Sequence, residues 1–295
     1  MLMSEKVQVN MSISPPLVYF DTCAYDLFFR LGYQEERKVF VQIMDKKRAT
    51  LMVSWANIVE LGGRLCDDEI ERICSFLDEV VTRPIEVEPR KVIKTEQTII
   101  RERKTFLSRY LPIVCEEIME WFADTSNWER RQGIDCYPRI TEFLRKYHYA
   151  VKKKQKLEKH FDSLCKRIED IQINKIRKAN LKLVIQKHIK AKIKLKEKNE
   201  FPIFTDEIFS LAVQFILKSD CKNFSTSTDW FDVLHAVVPI AYCDIIVLDR
   251  RWQHFSMHFL KNNGLVYPNV GKVFIFNKEK IGTLLEELEK SLIIP

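Results

Sequence analysis

The chain has 295 residues, of which 46% are apolar, and its 48 Lys/Arg against 41 Asp/Glu give a net charge of +7. This length suits one large domain or two modest ones. No window approaches the roughly 18 uncharged apolar residues of a membrane span, and the polar N-terminus lacks a secretory h-region. The sequence therefore predicts a cytoplasmic protein with no membrane partner.

Cysteine and glycine usage argues against several common kinds of site. The eight cysteines include no C-x-x-C pair, so we interpret them as scattered thiols rather than a disulfide framework or a zinc site. The seven glycines form neither a G-x-x-x-x-G-K nor a G-x-G-x-x-G element. Nucleotide binding through a phosphate loop is therefore not indicated.

The N-terminal part of the chain has a β-α-β-α pattern. Four apolar residues, 17–20, predict a short strand buried on both faces, and it ends on Asp21. A helix over about residues 25–45 and a second strand over 50–53 follow. Ser54 can cap the next helix, "WANIVELGGRL", which carries Glu60 near its N-terminal end.

Residues 61–204 differ in character. Helical patterns dominate, and "RPIEVEP" predicts an extended connector between prolines, so we interpret this part as a mostly helical insertion or lobe. Within it, segment 146–198 has 18 Lys/Arg and five Asp/Glu, a net charge of +13, so the remaining residues carry −6. The basic segment is either a solvated arm or a polyanion-binding surface; a membrane-surface role is a weaker alternative.

The α/β pattern resumes after residue 204. Thr205 can cap one helix, and the next, "DWFDVLHAVVPIAYC", contains Asp232. The buried strand 244–249 again ends on a carboxylate, Asp249, and a last strand, 272–276, precedes a final helix. The alternation predicts an α/β fold, a parallel sheet flanked by helices. Residues 1–60 and 205–295 would form one discontinuous domain around the insertion 61–204.

Acidic residues recur at positions that a parallel sheet would bring together. Because parallel strands point the same way, Asp21 and Asp249 should emerge at one edge, where the following helices add Glu60 and Asp232. Several carboxylates in one cleft stay ionised together only if a cation lies among them. Oxygen ligands select Mg²⁺ or Mn²⁺, and such an ion in an open cleft suits phosphodiester hydrolysis.

The motifs "VYFDTCAYDL", "SWANIVEL" and "DWFDVLHAVVPIAYCDIIVLDRRW" resemble those of PIN-domain nucleases, over residues 15–61 and about 205–280. The resemblance implies a PIN-like, Rossmann-like three-layer fold and metal-dependent cleavage of RNA, less often of DNA. It implies catalytic and metal-binding roles for Asp21, Glu60, Asp232 and Asp249. Asp229, three residues before Asp232, is an alternative third acid. The long insertion and Cys23, where a polar residue is more usual, depart from the small toxin form.

Four further residues are candidates for substrate binding: Thr22, His235, Arg250 and Arg251. Each also has an ordinary interpretation, as a local cap, a helix histidine or a solvated pair. The leading hypothesis is an endoribonuclease, a toxin or defence effector by family resemblance. An inactive PIN-like scaffold and a DNA-directed nuclease are the alternatives. A protein partner such as an antitoxin, and self-association, are left open.

Overall fold

A computed structural model describes residues 16–29, 33–102, 111–114, 140–152, 205–218, 227–266, 270–275 and 281–291. Its centre is one five-stranded sheet in which every neighbouring pair is parallel. The strands are β1 (Leu17–Phe20), β2 (Thr50–Ser54), β3 (Thr82–Ile85), β4 (Ile245–Leu248) and β5 (Lys272–Ile275). Their spatial order is β3-β2-β1-β4-β5. The predicted α/β class with a parallel sheet is confirmed.

The two central strands, β1 and β4, are continuous apolar runs. All of their residues are buried, as expected for parallel strands covered by helices on both faces. Val18 lies opposite Leu51 on one side and Ile245 on the other. The sheet therefore fixes the ends of β1 and β4 next to each other.

Strand β3 corrects the sequence analysis, which interpreted "RPIEVEP" as a connector within a helical lobe. Residues 82–85 instead pair with β2, with Pro84 opposite Val53. Proline cannot donate to a ladder, but an edge strand has one side that needs no partner, and β3 is at the edge of the sheet. The strand was not predicted because Pro84 interrupts the apolar pattern of the sequence.

Helices surround the sheet. Those in the described ranges are α1 (Thr22–Phe29), α2 (Gln34–Lys46), α3 (Trp55–Arg64), α4 (Asp67–Glu79), α5 (Pro89–Glu102), α6 (Ile140–Lys152), α7 (Thr205–Lys218), α8 (Ser227–Tyr242), α9 (Arg250–His254) and α10 (Ile281–Ser291). A π-helical segment, Phe255–Leu260, continues α9. Within these ranges no helix combines the length and the apolar character needed to cross a membrane.

One helical prediction differs from the structure, since the single helix predicted over 25–45 is two helices, α1 and α2. Thr205 begins α7, and its hydroxyl donates to Glu96 Oε1 on α5 at 2.5 Å. The hydroxyl therefore forms a hydrogen bond with a buried carboxyl group, to which the Tyr242 hydroxyl also donates at 2.7 Å.

The segment predicted as a helical lobe contributes to the main core. Ile73 on α4 and Leu144 on α6 belong to the same buried cluster as Val18 of β1. Helices α4 and α6 therefore pack on the sheet domain, although they fall within 61–204. Of the basic segment, residues 153–198 lie outside the described residues.

Candidate metal centre

Asp21 and Asp249 lie directly after the two central strands. The Asp21 N–H donates to Val247 O at 2.9 Å, so Asp21 extends the contact between β1 and β4. Asp249 is the N-cap of α9, and its Oδ1 accepts from Trp252 N at 2.9 Å. A carboxylate has a second oxygen, so this cap is compatible with a further role. The strand order reverses between β1 and β4, and this is where open α/β sheets form their ligand crevice.

Helix α3 carries Glu60 into the same crevice. Ser54 caps this helix as predicted: its Oγ accepts from Asn57 N at 3.1 Å, and Asn57 Oδ1 accepts in return from Ser54 N at 3.0 Å. Asn57 Nδ2 also donates to Phe20 O, the last carbonyl of β1, at 3.0 Å. The start of α3 is thereby attached to the end of β1, which places Glu60, one turn later, beside Asp21.

Helix α8 contributes Asp232 and His235, which share a face because they are three residues apart. The His235 ring is buried, with 2% of the residue exposed. Its Nε2 lies 3.0 Å from Glu60 Oε2, and its Nδ1 lies 3.9 Å from Asp21 Oδ1. His235 thus stands between two of the predicted acids.

Among the residues that the structure describes, one group of three side chains could hold a metal ion. Asp21, Glu60 and His235 each offer a ligand atom, and these atoms all lie within 4.8 Å of one another. Asp232 and Asp249 are close enough to act electrostatically on this group, as the pKa values of Asp21 and Asp232 show. The structure therefore groups Asp21 and Glu60 with a histidine, and it places Asp232 and Asp249 within electrostatic reach of Asp21.

The pKa shifts indicate an excess of negative charge. Burial raises the pKa of Asp21. The negative charges of Glu60 and Asp249 raise this pKa further, and His235 partly offsets the increase. The pKa of Asp232 is raised to about 7, first by burial and then by Asp249 and Asp21. Burial alone lowers the pKa of His235, but Asp21 and Glu60 outweigh it and raise the pKa. Without a cation, protons must compensate part of this charge.

Thr22 and His235, the candidates for substrate binding, each contact an acid of the site; their contact with substrate stays a prediction. Thr22 Oγ1 donates to Glu60 Oε2 at 2.5 Å, and its backbone N–H donates to Asp21 Oδ1, also at 2.5 Å. These contacts hold the acids in place from within the crevice.

The two predicted arginines begin α9, and one of them lies near Asp232. Arg250 is exposed at the start of α9, and Arg251 Nη1 is 3.9 Å from Asp232 Oδ2. The alternative third acid, Asp229, falls in the first turn of α8, and its side chain lies outside the described residues. The choice between Asp229 and Asp232 stays a prediction, although Asp232 is coupled to Asp21 and Asp249.

Sequence reasoning missed Tyr19 and Asn57. The Tyr19 hydroxyl lies 2.5 Å from His235 Nδ1 and 3.1 Å from Ser54 Oγ, but in the sequence Tyr19 is one of four apolar residues and shows no polar signal. Asn57 had a signal, because it is three residues after the Ser54 cap, the position that completes a capping box. Its second contact, with β1, required the fold.

The donor set fits a divalent cation. Carboxylate oxygens suit Mg²⁺ and Mn²⁺, and an imidazole nitrogen is a common additional ligand for transition ions. The charges of the site also favour a cation, since it would take the place of the protons that the raised pKa values of Asp21 and Asp232 imply. Asp21, Glu60 and His235 are the residues placed to hold it.

No family model, no curated protein and no solved structure matches this chain. The resemblance to PIN-domain nucleases accordingly stays a prediction carried by the motifs. The α/β fold and the grouping of Asp21, Glu60 and His235 are observations of the structure and stand independently of that resemblance.

Proposed function

We propose that this chain is a Mg²⁺- or Mn²⁺-dependent endonuclease of PIN type that hydrolyses phosphodiester bonds, with RNA as the preferred substrate. The observation that carries the proposal is the convergence of Asp21, Glu60 and His235 within 4.8 Å at the crevice between β1 and β4. The order of the acidic motifs along the chain supports the PIN assignment.

The acids would hold the cation, each from a different element of the fold. Asp21 follows β1, Glu60 lies on α3, Asp232 lies on α8 and Asp249 follows β4. A bound Mg²⁺ or Mn²⁺ supplies polarisation of the phosphate and a lowered pKa for an attacking water. Thr22 fixes Glu60 by its hydrogen bond, so that this carboxylate is oriented before substrate arrives.

The substrate would approach from the rim formed by α9. Arg250 is exposed there and Arg251 lies beside Asp232, so both are placed to attract phosphate groups near the acids. Phosphate contacts of this kind position a nucleic acid without reading its sequence. The basic segment 146–198 would add affinity for the backbone. The preference for RNA, the toxin or defence role and an antitoxin partner rest on the family resemblance, whereas the cytoplasmic location stays the prediction made from the sequence.

A cleavage assay tests the proposal. Labelled single-stranded RNA and DNA of matched sequence are incubated with the full chain in Mn²⁺, Mg²⁺ or EDTA. Wild type should cleave RNA faster than DNA, and EDTA should abolish cleavage. Asp21→Asn should lose more than about 100-fold, because even outer-shell partners of a metal are worth 10–100-fold.

Glu96→Gln is the matched control, because Glu96 is also a buried acid but lies on α5, hydrogen-bonded to Thr205 and Tyr242. It should retain wild-type cleavage. Equal activity of wild type and Asp21→Asn would overturn the proposal. Faster cleavage of DNA would support the DNA-directed alternative, and binding of Mn²⁺ without any cleavage would support the scaffold.

A further inference from the structure

A chain of buried hydrogen bonds leads from the start of α3 to His235. Ser54 Oγ lies 3.1 Å from the Tyr19 hydroxyl, which in turn lies 2.5 Å from His235 Nδ1. Asn57 joins the chain at the other end, through its contacts with Ser54. All four residues are buried, so each proton in the chain must have a defined acceptor.

The orientation of the Asn57 amide determines where these protons go. Asn57 Nδ2 donates to Phe20 O at 3.0 Å, so Oδ1 is the atom facing Ser54, and it accepts from Ser54 Oγ at 2.9 Å. A serine has one hydroxyl proton, and Ser54 gives it to Asn57. Tyr19 must then donate to Ser54, and the Tyr19 oxygen must accept from His235. Nδ1 of His235 therefore carries a hydrogen.

The other ring nitrogen of His235 faces an acceptor. Nε2 lies 3.0 Å from Glu60 Oε2, an oxygen that already accepts from Thr22. An Nε2 lone pair and a carboxylate oxygen repel at this distance unless a proton or a cation lies between them. Two arrangements relieve this repulsion. Either the ring carries a second proton and is an imidazolium, or a metal ion is bound by both atoms.

We propose that His235 binds the cation through Nε2, and that the centre therefore selects a first-row transition ion such as Mn²⁺ over Mg²⁺. The proposal rests on the divalent cation of the proposed function but not on the nuclease reaction. Imidazole suits transition ions, whereas Mg²⁺ prefers oxygen ligands alone. The Nδ1–H bond to Tyr19 would fix the tautomer and orientation of the ring, as the outer-shell hydrogen bonds of metal-binding histidines do.

The spacing of the two donor atoms agrees with shared coordination. Adjacent ligands at right angles, each about 2.1 Å from an ion, are separated by about 3 Å, and Nε2 and Oε2 are 3.0 Å apart. Asp21 also offers a ligand atom within 4.8 Å of one ligand atom of Glu60 and one of His235. An ion could therefore replace the proton without a large movement of Glu60 or His235.

Pulsed electron paramagnetic resonance of bound Mn²⁺ tests the nitrogen ligand directly. Full-length protein is loaded with Mn²⁺ alone, and the spectrum is recorded with unlabelled and with ¹⁵N-histidine protein. We expect a directly coordinated nitrogen whose coupling changes with the isotope. Bound Mn²⁺ with oxygen ligands only would overturn the inference and leave the proposed function standing, whereas failure to bind any divalent ion would overturn both.

Variants assign the nitrogen to His235. His235→Gln should abolish the nitrogen coupling and reduce the ratio of Mn²⁺ to Mg²⁺ affinity, measured calorimetrically, by at least about tenfold. Tyr19→Phe should weaken Mn²⁺ binding by about 10–100-fold, as loss of an outer-shell partner does, with little effect on Mg²⁺. His254→Gln, at an exposed histidine of α9, is the control and should behave as wild type. A nitrogen coupling that survives in folded His235→Gln would contradict the assignment.

Discussion

Glu96 and Asp232 are carboxylic acids whose pKa values are both raised to about 7, yet they have different surroundings. For Glu96 the main cause is burial, which the hydroxyls of Thr205 and Tyr242 partly offset. For Asp232 burial is followed by repulsion from Asp249 and Asp21. A proton on Glu96 satisfies an isolated group, whereas a proton on Asp232 relieves a surplus of charge shared by several groups.

The comparison separates a structural acid from a candidate functional one. Two neutral donors contact the same oxygen of Glu96, so this residue needs no ion in either protonation state. The acids at the carboxyl edge of the sheet repel one another, and Asp21, Glu60 and His235 can share a cation. A raised pKa alone would not distinguish the two regions; the identity of the neighbours does.

The largest expected effect concerns the pH dependence of stability through Glu96. Its pKa is about 7 in the folded protein against 4.5 in the unfolded chain, so between these values the folded state binds more protons. Stability from Glu96 is thus present below about pH 4.5 and is lost as pH rises towards 7. The loss amounts to roughly 3 kcal/mol.

Urea denaturation in EDTA at pH 4 and pH 8 measures this contribution. Glu96→Gln retains an oxygen that can accept from Thr205 and Tyr242 but cannot ionise, so the variant should lose about 3 kcal/mol less than wild type between the two pH values. The same pH dependence in both proteins would show that Glu96 does not titrate as the structure indicates.

The next effect is on cation affinity. Asp232→Asn should weaken Mn²⁺ binding by about 100-fold, or about 2.7 kcal/mol, because it removes a charged group from the centre. Glu96→Gln should bind Mn²⁺ as wild type does, since Glu96 is not part of that centre. Calorimetric titration measures both. A separate Asp229→Asn variant shows which residue is the third acid of the centre. If Asp229→Asn loses Mn²⁺ affinity and Asp232→Asn does not, Asp229 is the ligand.

Asp232→Asn should weaken Mn²⁺ binding but should stabilise the folded protein when no ion is present. In EDTA at pH 8 the substitution removes a carboxylate that its neighbours repel, and it should stabilise the protein by about 1–2 kcal/mol, after allowance for a side chain that is 33% exposed. Saturating Mn²⁺ should reverse the order of wild type and variant, because ligands stabilise the state that binds them. Thermal melting in the two buffers measures this, and an unchanged order would contradict the charge argument.

Much of the sheet could be predicted from the sequence. Four of its strands are apolar runs, and parallel order follows from the alternation of strands and helices. The fifth, β3, could not be found, because Pro84 breaks the run and only its edge position makes the proline acceptable. Without β3, the pattern of residues 61–204 is mostly helical, which is why the predicted domain boundary lies at residue 61; that division of the chain stays a prediction.

The candidate site was predictable only where it depends on strand ends and local spacing. Asp21 and Asp249 follow strands, and Asp232 and His235 share a helix face. The role of Tyr19 was not predictable, because its partner His235 is 216 residues away in sequence. Such contacts depend on the packing of α8 against β1, and no local pattern in the chain encodes them.

The smallest expected effect compares two threonines that make the same hydrogen bond. Thr22 and Thr205 each donate to a carboxylate oxygen at 2.5 Å, on Glu60 and Glu96 respectively. Thr205→Val should cost about 1–2 kcal/mol of stability, the worth of a buried hydrogen bond, without changing Mn²⁺ affinity.

Thr22→Val should do the reverse. Its hydroxyl orients a carboxylate that is under repulsion when no ion is present, so its loss should change stability in EDTA by less than about 1 kcal/mol. Mn²⁺ binding should weaken by about tenfold, because Glu60 loses an outer-shell partner. Urea denaturation gives the free energy of unfolding of each variant, and calorimetric titration gives its Mn²⁺ affinity. If the two valine variants behaved alike in both measurements, the distinction between a structural acid and a cation-binding acid would not hold for this protein.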